Sequence, residues 1–373
     1  MNKKILFTGG HHNSAVNTID WLLKNDDKLE FYWIGSGSSV HEIEEVKSRN
    51  IPYYTIKAGK LFRFSNYKYL GKAIYQLLLI PFGFVQTFLI LAKIRPDLIV
   101  SFGGYIAVPV VICSWVLRIK SVTHEQTVVL GLANKLISKF VSKIYTSWPV
   151  NFYEASAHIT KRMIYTGLPI SDSLLKDKSK VEFKRKLPII YITGGKQGSM
   201  FINQLIISNL SQLLDDFNII WSCGDRVGDA DYDEICGLVN KLSKEKQEGI
   251  YLKKYFSWDE INVVLRSAAS CVTRGGGHTV YELAVLATPS IIIPIPWSSN
   301  NEQLKNAKVL EKLGLSIILE EEKLTSTDFY NKFIEFSGTI EKRRAKYLKN
   351  QLDSVITSQG QENLGNEIKK NLS

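Results

Sequence analysis

Three glycine-rich stretches hold residue types suited to anion and sugar chemistry. TGGKQGS (residues 193–199) follows the apolar run LPIIYI and opens a segment of helical periodicity. Gly194, Gly195 and Gly198 permit tight turns and let main-chain N–H groups approach a ligand closely. A helix starting there aims its positive end at the same point, which makes an anion site. TRGGGHTVYELAVLATPSIIIPIP (273–296) repeats the device, with Arg274 before three glycines and Thr279 and Glu282 one turn apart on the next helix. A carboxylate so placed accepts two hydrogen bonds from the vicinal hydroxyls of a ribose; it serves equally well as a helix-capping group. TGGHH (8–12) follows KKILF, and its His11 has a side chain that exchanges protons near neutral pH. A histidine after a glycine turn is also a common structural hydrogen-bonder. Glycine turns after strands are frequent, so one alone does not identify a phosphate site.

Strand-like runs alternate with helical patterns along almost the whole chain, which predicts α/β architecture with parallel sheets. In the first half the strands are KILF, FYWIG, DLIVSFG, SVTHE and KIYTSW; in the second, IIYIT, NIIWSCG, IYLKKYF, SCVTR, SIIIPIP and SIILE. A length of 373 residues, 45% of them apolar, suits two domains. The stretch TGLPISDSLLKDKSKVEFKRKLP (166–188), with two prolines and a charge run, marks the junction. The expected division is a first domain over 1–167, a hinge over 168–186, a second domain over 187–345, and a C-terminal helix over 346–373 that packs back on the first domain.

The net charge of +11 is concentrated. Residues 1–168 carry 20 Lys and Arg against 10 Asp and Glu, and no acidic residue lies between Lys47 and Pro96. This asymmetry points to an anionic partner for the first half, a membrane surface or nucleic acid; no nucleic-acid recognition module interleaves with it. KAIYQLLLIPFGFVQTFLILAKI (72–94) approaches the length of a membrane span but is interrupted by Gln76, Pro81 and Gln86. With LFRFSNYKYLGK before it, the segment suits a helix lying in lipid headgroups. A buried helix of an α/β domain is the plainer alternative, and a true span a third. The four cysteines form no C-x-x-C pair or Cys/His metal spacing and read as buried apolar residues in a reducing compartment. The apolar run of MNKKILFTGG is too short for a signal peptide and reads as a first strand, so no export is expected.

Taken together, GGKQGSMFINQ, TRGGGHTVYELAVLATPSIIIPIP and NEQLKNAKVLEKLG resemble the donor half of the MurG family, bacterial transferases that add N-acetylglucosamine to lipid I. FGGYIAVPVVICSWVLRIKSVTHEQTVVLGLANKLISKF and TGGHH resemble its first half, in the same order. The resemblance implies a GT-B fold, two Rossmann-like doubly wound domains facing across a cleft. It implies an inverting transfer of N-acetylglucosamine, or a related N-acetylhexosamine, from UDP to a polyprenyl-diphosphate-linked sugar at the cytoplasmic membrane face.

Residue by residue, the resemblance assigns Glu282 to the ribose hydroxyls and Gly194, Gly195, Gln197 and Gly198 to the diphosphate turn, in which Lys196 also stands. Arg274, Gly277, His278 and Thr279 fall near the α-phosphate and nucleotide, Gln303 at the donor sugar, and the backbone from Phe256 to Trp258 at the uracil edge. Gly9, Gly10, His11, Gly104, Tyr105, Gln126 and Thr127 form the acceptor face. His11 is the expected base, with His124 and Glu125 as the next candidates. No metal cluster is visible and no tightly bound cofactor is expected; Mg2+ would come with the diphosphate.

The chain departs from the family pattern in four places. The first loop is shortened to TGGHH with Ser14 where a proline is usual, Thr127 replaces the asparagine of H-E-Q-N, GLPIS replaces G-N-P-V-R, and Lys196 replaces a serine. Leu168 and Ser171 thus remove an amide and a cation, for which Lys196 is the expected substitute. The acceptor-side changes leave open a different lipid-linked acceptor, of pseudomurein or N-glycan type. Two other readings are a UDP-sugar 2-epimerase, against which the basic, apolar stretch at 47–96 argues, and a non-catalytic subunit that binds UDP-sugar or lipid.

Overall fold

A computed structural model of the chain describes residues 2–59, 70–224, 230–351 and 356–372. The chain divides into two compact units, Met1–Ile170 with Thr357–Ser373, and Ser171–Ile356.

The first unit is built from β1 (Lys3–Thr8), α1 (His12–Asn25), β2 (Leu29–Gly35), α2 (Val40–Lys47), β3 (Tyr53–Thr55), α3 (Leu70–Ile94), β4 (Leu98–Ser101) and α4 (Ala107–Val116). It continues with β5 (Ser121–Glu125), α5 (Leu132–Ile137), β6 (Lys143–Thr146), α6 (Ala157–Thr160) and β7 (Met163–Tyr165). Its seven strands are all parallel, in the order β3-β2-β1-β4-β5-β6-β7. A parallel sheet covered on both faces needs strands that are apolar throughout. The wholly buried LIVS of β4 has that composition. On one side Ile5, Phe7 and Val100 pack with Ala15, Ile19 and Leu22 of α1; on the other, Leu6 and Ile99 pack with Leu91, Ile94 and Val110.

The second unit comprises α7 (Asp172–Lys176), β8 (Ile189–Thr193), α8 (Met200–Asp216), β9 (Asn218–Ser222), α9 (Ala230–Val239), α10 (Lys244–Gln247), β10 (Ile250–Lys253), α11 (Trp258–Ser267), β11 (Ser270–Thr273) and α12 (Gly277–Val285). It ends with β12 (Ser290–Ile292), α13 (Glu302–Lys312), β13 (Ser316–Ile318), α14 (Ser326–Ser337) and α15 (Ile340–Gln351). The six strands are again parallel, in the order β10-β9-β8-β11-β12-β13. In α8 the buried residues Ile202, Leu205, Ile206, Asn209, Leu210, Leu213 and Leu214 recur at the helical period, so one face goes down onto β8 and β9.

The last helix, α16 (Gly360–Leu372), belongs to the first unit. Gly365 lets it pass α1, since a Cβ there would lie 2.2 Å from the Trp21 ring. Asn371 Nδ2 donates to Tyr145 Oη at 2.7 Å, and Lys143 pairs with Glu367 at 3.2 Å. The return therefore comes after residue 356, not at 346. Residues 346–351 still belong to α15 in the second unit, where buried Tyr347 donates to Ala284 O at 2.8 Å. Likewise most of the expected hinge, from Ser171 on, is part of the second unit: Arg266 binds Ser173 O, and Asn262 Nδ2 donates to Ser173 Oγ at 2.5 Å.

In both sheets the strand order reverses beside the first strand of the unit, at β1/β4 and at β8/β11. In open α/β sheets the carboxyl ends of strands at such a switch point form the ligand site. The glycine stretches after β1, β4, β8 and β11 all stand there.

Candidate functional site

In the first unit the turns after β1 and β4 interlock. Gly9 has φ 144°, and a Cβ on it would lie 2.8 Å from the backbone of Phe102. Gly104, at φ 78°, would place a Cβ 2.8 Å from Gly10 N, and Gly10 N donates to Gly103 O at 3.0 Å. Only glycines let these backbones meet. The contact carries His11 to the position preceding α1, where it is exposed. Tyr105 follows the second turn, one residue before Ile106, the N-cap position of α4.

His124 and Glu125 end β5 and are both buried, and as consecutive strand residues they point to opposite faces. His124 Nε2 lies 3.0 Å from Gly167 O, and its ring packs on Phe102 at 5.4 Å. Glu125 Oε1 accepts from the amides of Gln126 and Thr127 at 2.9 and 3.1 Å; Oε2 accepts from Gly131 N and Asn134 Nδ2 at 2.9 and 2.8 Å. Burial pushes this carboxyl up, opposed by the bonds from Asn134, Gly131 and Thr127. Expected as an acid–base pair, His124 and Glu125 are not brought together; Glu125 instead pins the loop 126–131. Thr127 Oγ1 donates to Val129 O at 2.8 Å within that loop. Gln126 is 2% exposed, and neither its Oε1 nor its Nε2 has a partner among the described residues. A buried amide left so costs about 1–3 kcal/mol, which marks this strand end for a polar ligand.

In the second unit, Gly195 (φ 81°) and Gly198 (φ 76°) shape the turn after β8. Gly195 N donates to Thr193 Oγ1 at 3.0 Å and Gly198 N to Gly195 O at 2.9 Å, so those two amides are already engaged. A Cβ at Gly195 would meet nothing within 4 Å, and the same holds at Gly276, the residue before α12. The turn thus borders open space at both helix starts. Lys196 and Gln197 are exposed on it, with Lys196 Nζ 5.3 Å from the Tyr255 ring centroid.

Gly277, His278 and Thr279 form the first turn of α12, and Glu282 lies one turn on. The Glu282 side chain is 10% exposed, and its Oε1 lies 3.9 Å from His278 Nδ1. Among the described residues no group donates a hydrogen bond to this carboxylate, a requirement a pair of ligand hydroxyls would satisfy. Gln303 Oε1 accepts from Ile295 N at 3.0 Å, which fixes the amide and leaves its NH2 to donate elsewhere. Asn306 Nδ2 locks α13 to Gly275 O at 3.0 Å.

One expectation changes here. The Arg274 guanidinium, expected at the donor, is spent on the protein: Nη1 donates to Ile293 O at 2.9 Å and to Glu321, and Nη2 donates to Ser199 Oγ at 2.6 Å. The Phe256 side chain is core, enclosed by Tyr191 and Tyr251. Ser257 N donates to Glu260 Oε2 at 3.0 Å in the capping box of α11, leaving the amides of Phe256 and Trp258 as the donors of that stretch. Sequence reasoning missed Asn134, Ser199 and Glu321. Ser199 had a signal, as the serine directly before a helical pattern; the other two become visible only through tertiary contacts.

On the outer side of the first unit, α3 packs one face on α4 and exposes the other. Its residues 74–94 have a mean hydropathy of 2.0, long and apolar enough to cross a membrane, yet Gly83, Thr87, Leu91 and Ile94 are buried against the unit. Leu78, Phe82, Val85 and Leu89, spaced along one helix face, remain 59–65% exposed. Most of the aromatic–basic stretch before it, 60–69, lies outside the described residues.

Comparison with known proteins bears on both half-sites. Residues 8–146 match the family model of the glycosyltransferase family 28 N-terminal domain, and residues 189–355 that of its C-terminal domain. A Bacillus cereus protein named UDP-N-acetylglucosamine–N-acetylmuramyl-(pentapeptide) pyrophosphoryl-undecaprenol N-acetylglucosamine transferase 2 is 32% identical over 351 residues, covering 91% of this chain and 93% of the relative. The Clostridium tetani transferase of the same description is 31% identical over 379 residues, covering 99% and 98%. Among solved structures, Acinetobacter baumannii MurG superposes with a TM-score of 0.71 at 20% identity, covering 99% of each chain. The UDP-GlcNAc 2-epimerase of Neisseria meningitidis, bound to UDP-GlcNAc, does so with 0.63 at 12%, covering 99% of each. These likenesses show the fold: two Rossmann-like parallel-sheet domains of GT-B type.

Proposed function

The chain belongs to glycosyltransferase family 28, and from that premise we propose that it transfers N-acetylglucosamine from UDP to a polyprenyl-diphosphate-linked N-acetylmuramyl sugar, the step that forms lipid II. The observation that carries the donor reading is Glu282, a buried carboxylate without a hydrogen-bond donor among the described residues, one turn into a helix that starts beside open space at Gly276. In this reading Glu282 accepts from the two ribose hydroxyls. The diphosphate lies at the 194–198 turn and the start of α12, Gln303 donates to the sugar, and the backbone beside Ser257 meets the uracil. Lys196, exposed on the turn, supplies the cation that Ser171 does not.

The acceptor hydroxyl attacks the anomeric carbon as the bond to the UDP oxygen breaks, with inversion. The acceptor proton passes to a base, and the electron pair leaves on the diphosphate. The transition state resembles an oxocarbenium ion, so the amides and helix ends at the diphosphate act where charge develops. His11 is the proposed base: it is exposed, preceded by the interlocked turns at Gly9–Gly10 and Gly103–Gly104. The orphan amide of Gln126 is the proposed contact for the acceptor. Among the described residues no group of three His, Cys, Asp or Glu could hold a metal ion, so any Mg2+ would arrive with the diphosphate.

The proposed setting is the cytoplasmic membrane face, bound peripherally. The exposed apolar face of α3 supports it, together with the excess of basic residues in the first half. The test is UDP release from UDP-N-acetylglucosamine with and without a short-chain lipid-linked N-acetylmuramyl acceptor. Release only with acceptor is expected; sugar conversion without acceptor, or binding without either, would refute the transferase.

A further inference from the structure

The hydrogen bonds of Ser199 do not close within the protein. Its Oγ accepts the capping bond from Ile202 N at 3.2 Å, and the same oxygen accepts from Arg274 Nη2 at 2.6 Å. An amide N–H and a guanidinium only donate, so both lone pairs of the hydroxyl are in use. The remaining proton has no acceptor among the described residues, in a side chain only 4% exposed. A buried hydroxyl proton without an acceptor carries a cost that a ligand oxygen would relieve. Ser199 stands against the turn after β8, since a Cβ built on Gly194 would lie 2.6 Å from Ser199 Cβ.

The arginine is equally constrained. Its guanidinium pairs with Glu321, donates to Ile293 O at 2.9 Å, and has a side-chain exposure of 8%. The residue thereby ties together the ends of β11 and β12, the segment after β13 and the start of α8. An ordinary capping serine keeps one lone pair spare and can turn its proton either way. At Ser199 the buried cation occupies that freedom.

Resting on the donor-site reading above, we propose that Ser199 is a diphosphate-binding residue. Its hydroxyl, with its lone pairs held by Arg274 and Ile202 N, donates its proton to a phosphate oxygen of the UDP-sugar. Arg274, held by Glu321, is the positioning residue that sets the direction. As the sugar–oxygen bond breaks and charge gathers on the leaving diphosphate, a pre-aimed donor binds it more strongly and needs no reorientation.

The test compares wild type, Ser199→Ala, Ser199→Thr, Arg274→Lys and the Ser199→Ala/Arg274→Lys double variant. UDP affinity is read by titration calorimetry and uridine affinity by ligand-observed NMR. Ser199→Ala is expected to weaken UDP about tenfold or more and leave uridine unchanged, because a bond to a charged group is lost. Ser199→Thr keeps both cap and hydroxyl and restores UDP binding. Arg274→Lys weakens UDP in the presence of Ser199 but adds little to Ser199→Ala, the signature of one residue acting through the other. Ser199→Gly repeats the test if the alanine variant does not fold, since glycine also tolerates the cap position. Unchanged UDP affinity in Ser199→Ala, equal losses for UDP and uridine, or independent effects of the two substitutions would overturn the assignment with the donor site intact. A wild-type chain that does not bind UDP would overturn the donor reading itself, and this inference with it.

Discussion

Substituting serine for Leu78, Phe82 and Leu89 together tests the proposal that the α3 face holds the protein to a bilayer. These side chains are 62%, 65% and 63% exposed, so they contribute little to the core. Full burial of a Leu or Phe side chain is worth about 1.5–3 kcal/mol; six-tenths of that is ~1–2 kcal/mol per residue and ~3–5 kcal/mol for the three. At ~1.4 kcal/mol per decade, the partition coefficient into vesicles should fall by roughly a hundredfold to a few thousandfold. The assay is co-sedimentation with large unilamellar vesicles, with and without anionic lipid, beside a thermal melt. Unfolding free energy should change by no more than about 0.5 kcal/mol, as for other surface substitutions. A spanning helix would have to strip Gly83, Thr87 and Leu91 from their buried contacts, so it predicts exposure of that face and a destabilised unit. Equal vesicle binding by variant and wild type, with both folded, would refute the interfacial reading.

Glu282→Gln should raise the KM for UDP-N-acetylglucosamine about tenfold or more, through loss of charge-assisted bonds; the preference for the ribose donor over a 2′-deoxy donor, read from kcat/KM, should narrow. His11→Gln should lower kcat by about a hundredfold to ten-thousandfold with little change in donor KM, measured under saturating acceptor. At Asp97 the Lys4 amide at 2.8 Å, with Lys3, holds the carboxyl below its usual range. The folded value lies below the unfolded one, so its stabilisation is present above about pH 4 and lost as pH falls through the folded value. Asp97→Asn should flatten that part of the stability–pH profile, followed by urea unfolding.

The interior strands are legible in the sequence because parallel strands covered on both faces must be apolar along most of their length, as LIVS, IIYIT and NIIWS are. β3 and β7 escape it: each has three residues at a sheet edge, too short to show a period. The family relationship is legible from the order and spacing of glycine turns and flanking helices, which backbone geometry dictates. Side-chain direction is another matter. His124 and Glu125 invite pairing by adjacency, yet strand alternation separates them. Arg274 has the type of an anion ligand, but Glu321, 47 residues later, engages it. Which donors remain for a ligand depends on contacts that local sequence does not encode.

That accounting also shows how one chain could put the same strand, glycine turn and helix to two different ends. In the first unit the glycines are obliged by backbone meeting backbone: Gly9 against Phe102, Gly104 against Gly10, with Gly10 N spent on Gly103 O. The crowding leaves little room for an anion inside the turn, and its product is an exposed histidine placed just before a helix. In the second unit Gly195 and Gly276 face open space, and a buried hydroxyl and a buried carboxylate stand nearby with hydrogen-bonding capacity unused among the described residues. In the proposed reading the same fold element serves as a proton acceptor where the turn is closed and as a phosphate and ribose cradle where it is open. Filling the open turn should abolish the second role without touching the first. Gly276→Val, at φ −66° where a side chain is sterically allowed, should weaken UDP while the protein stays folded. Unchanged UDP affinity in that variant would show that the space beside α12 is not where the nucleotide lies.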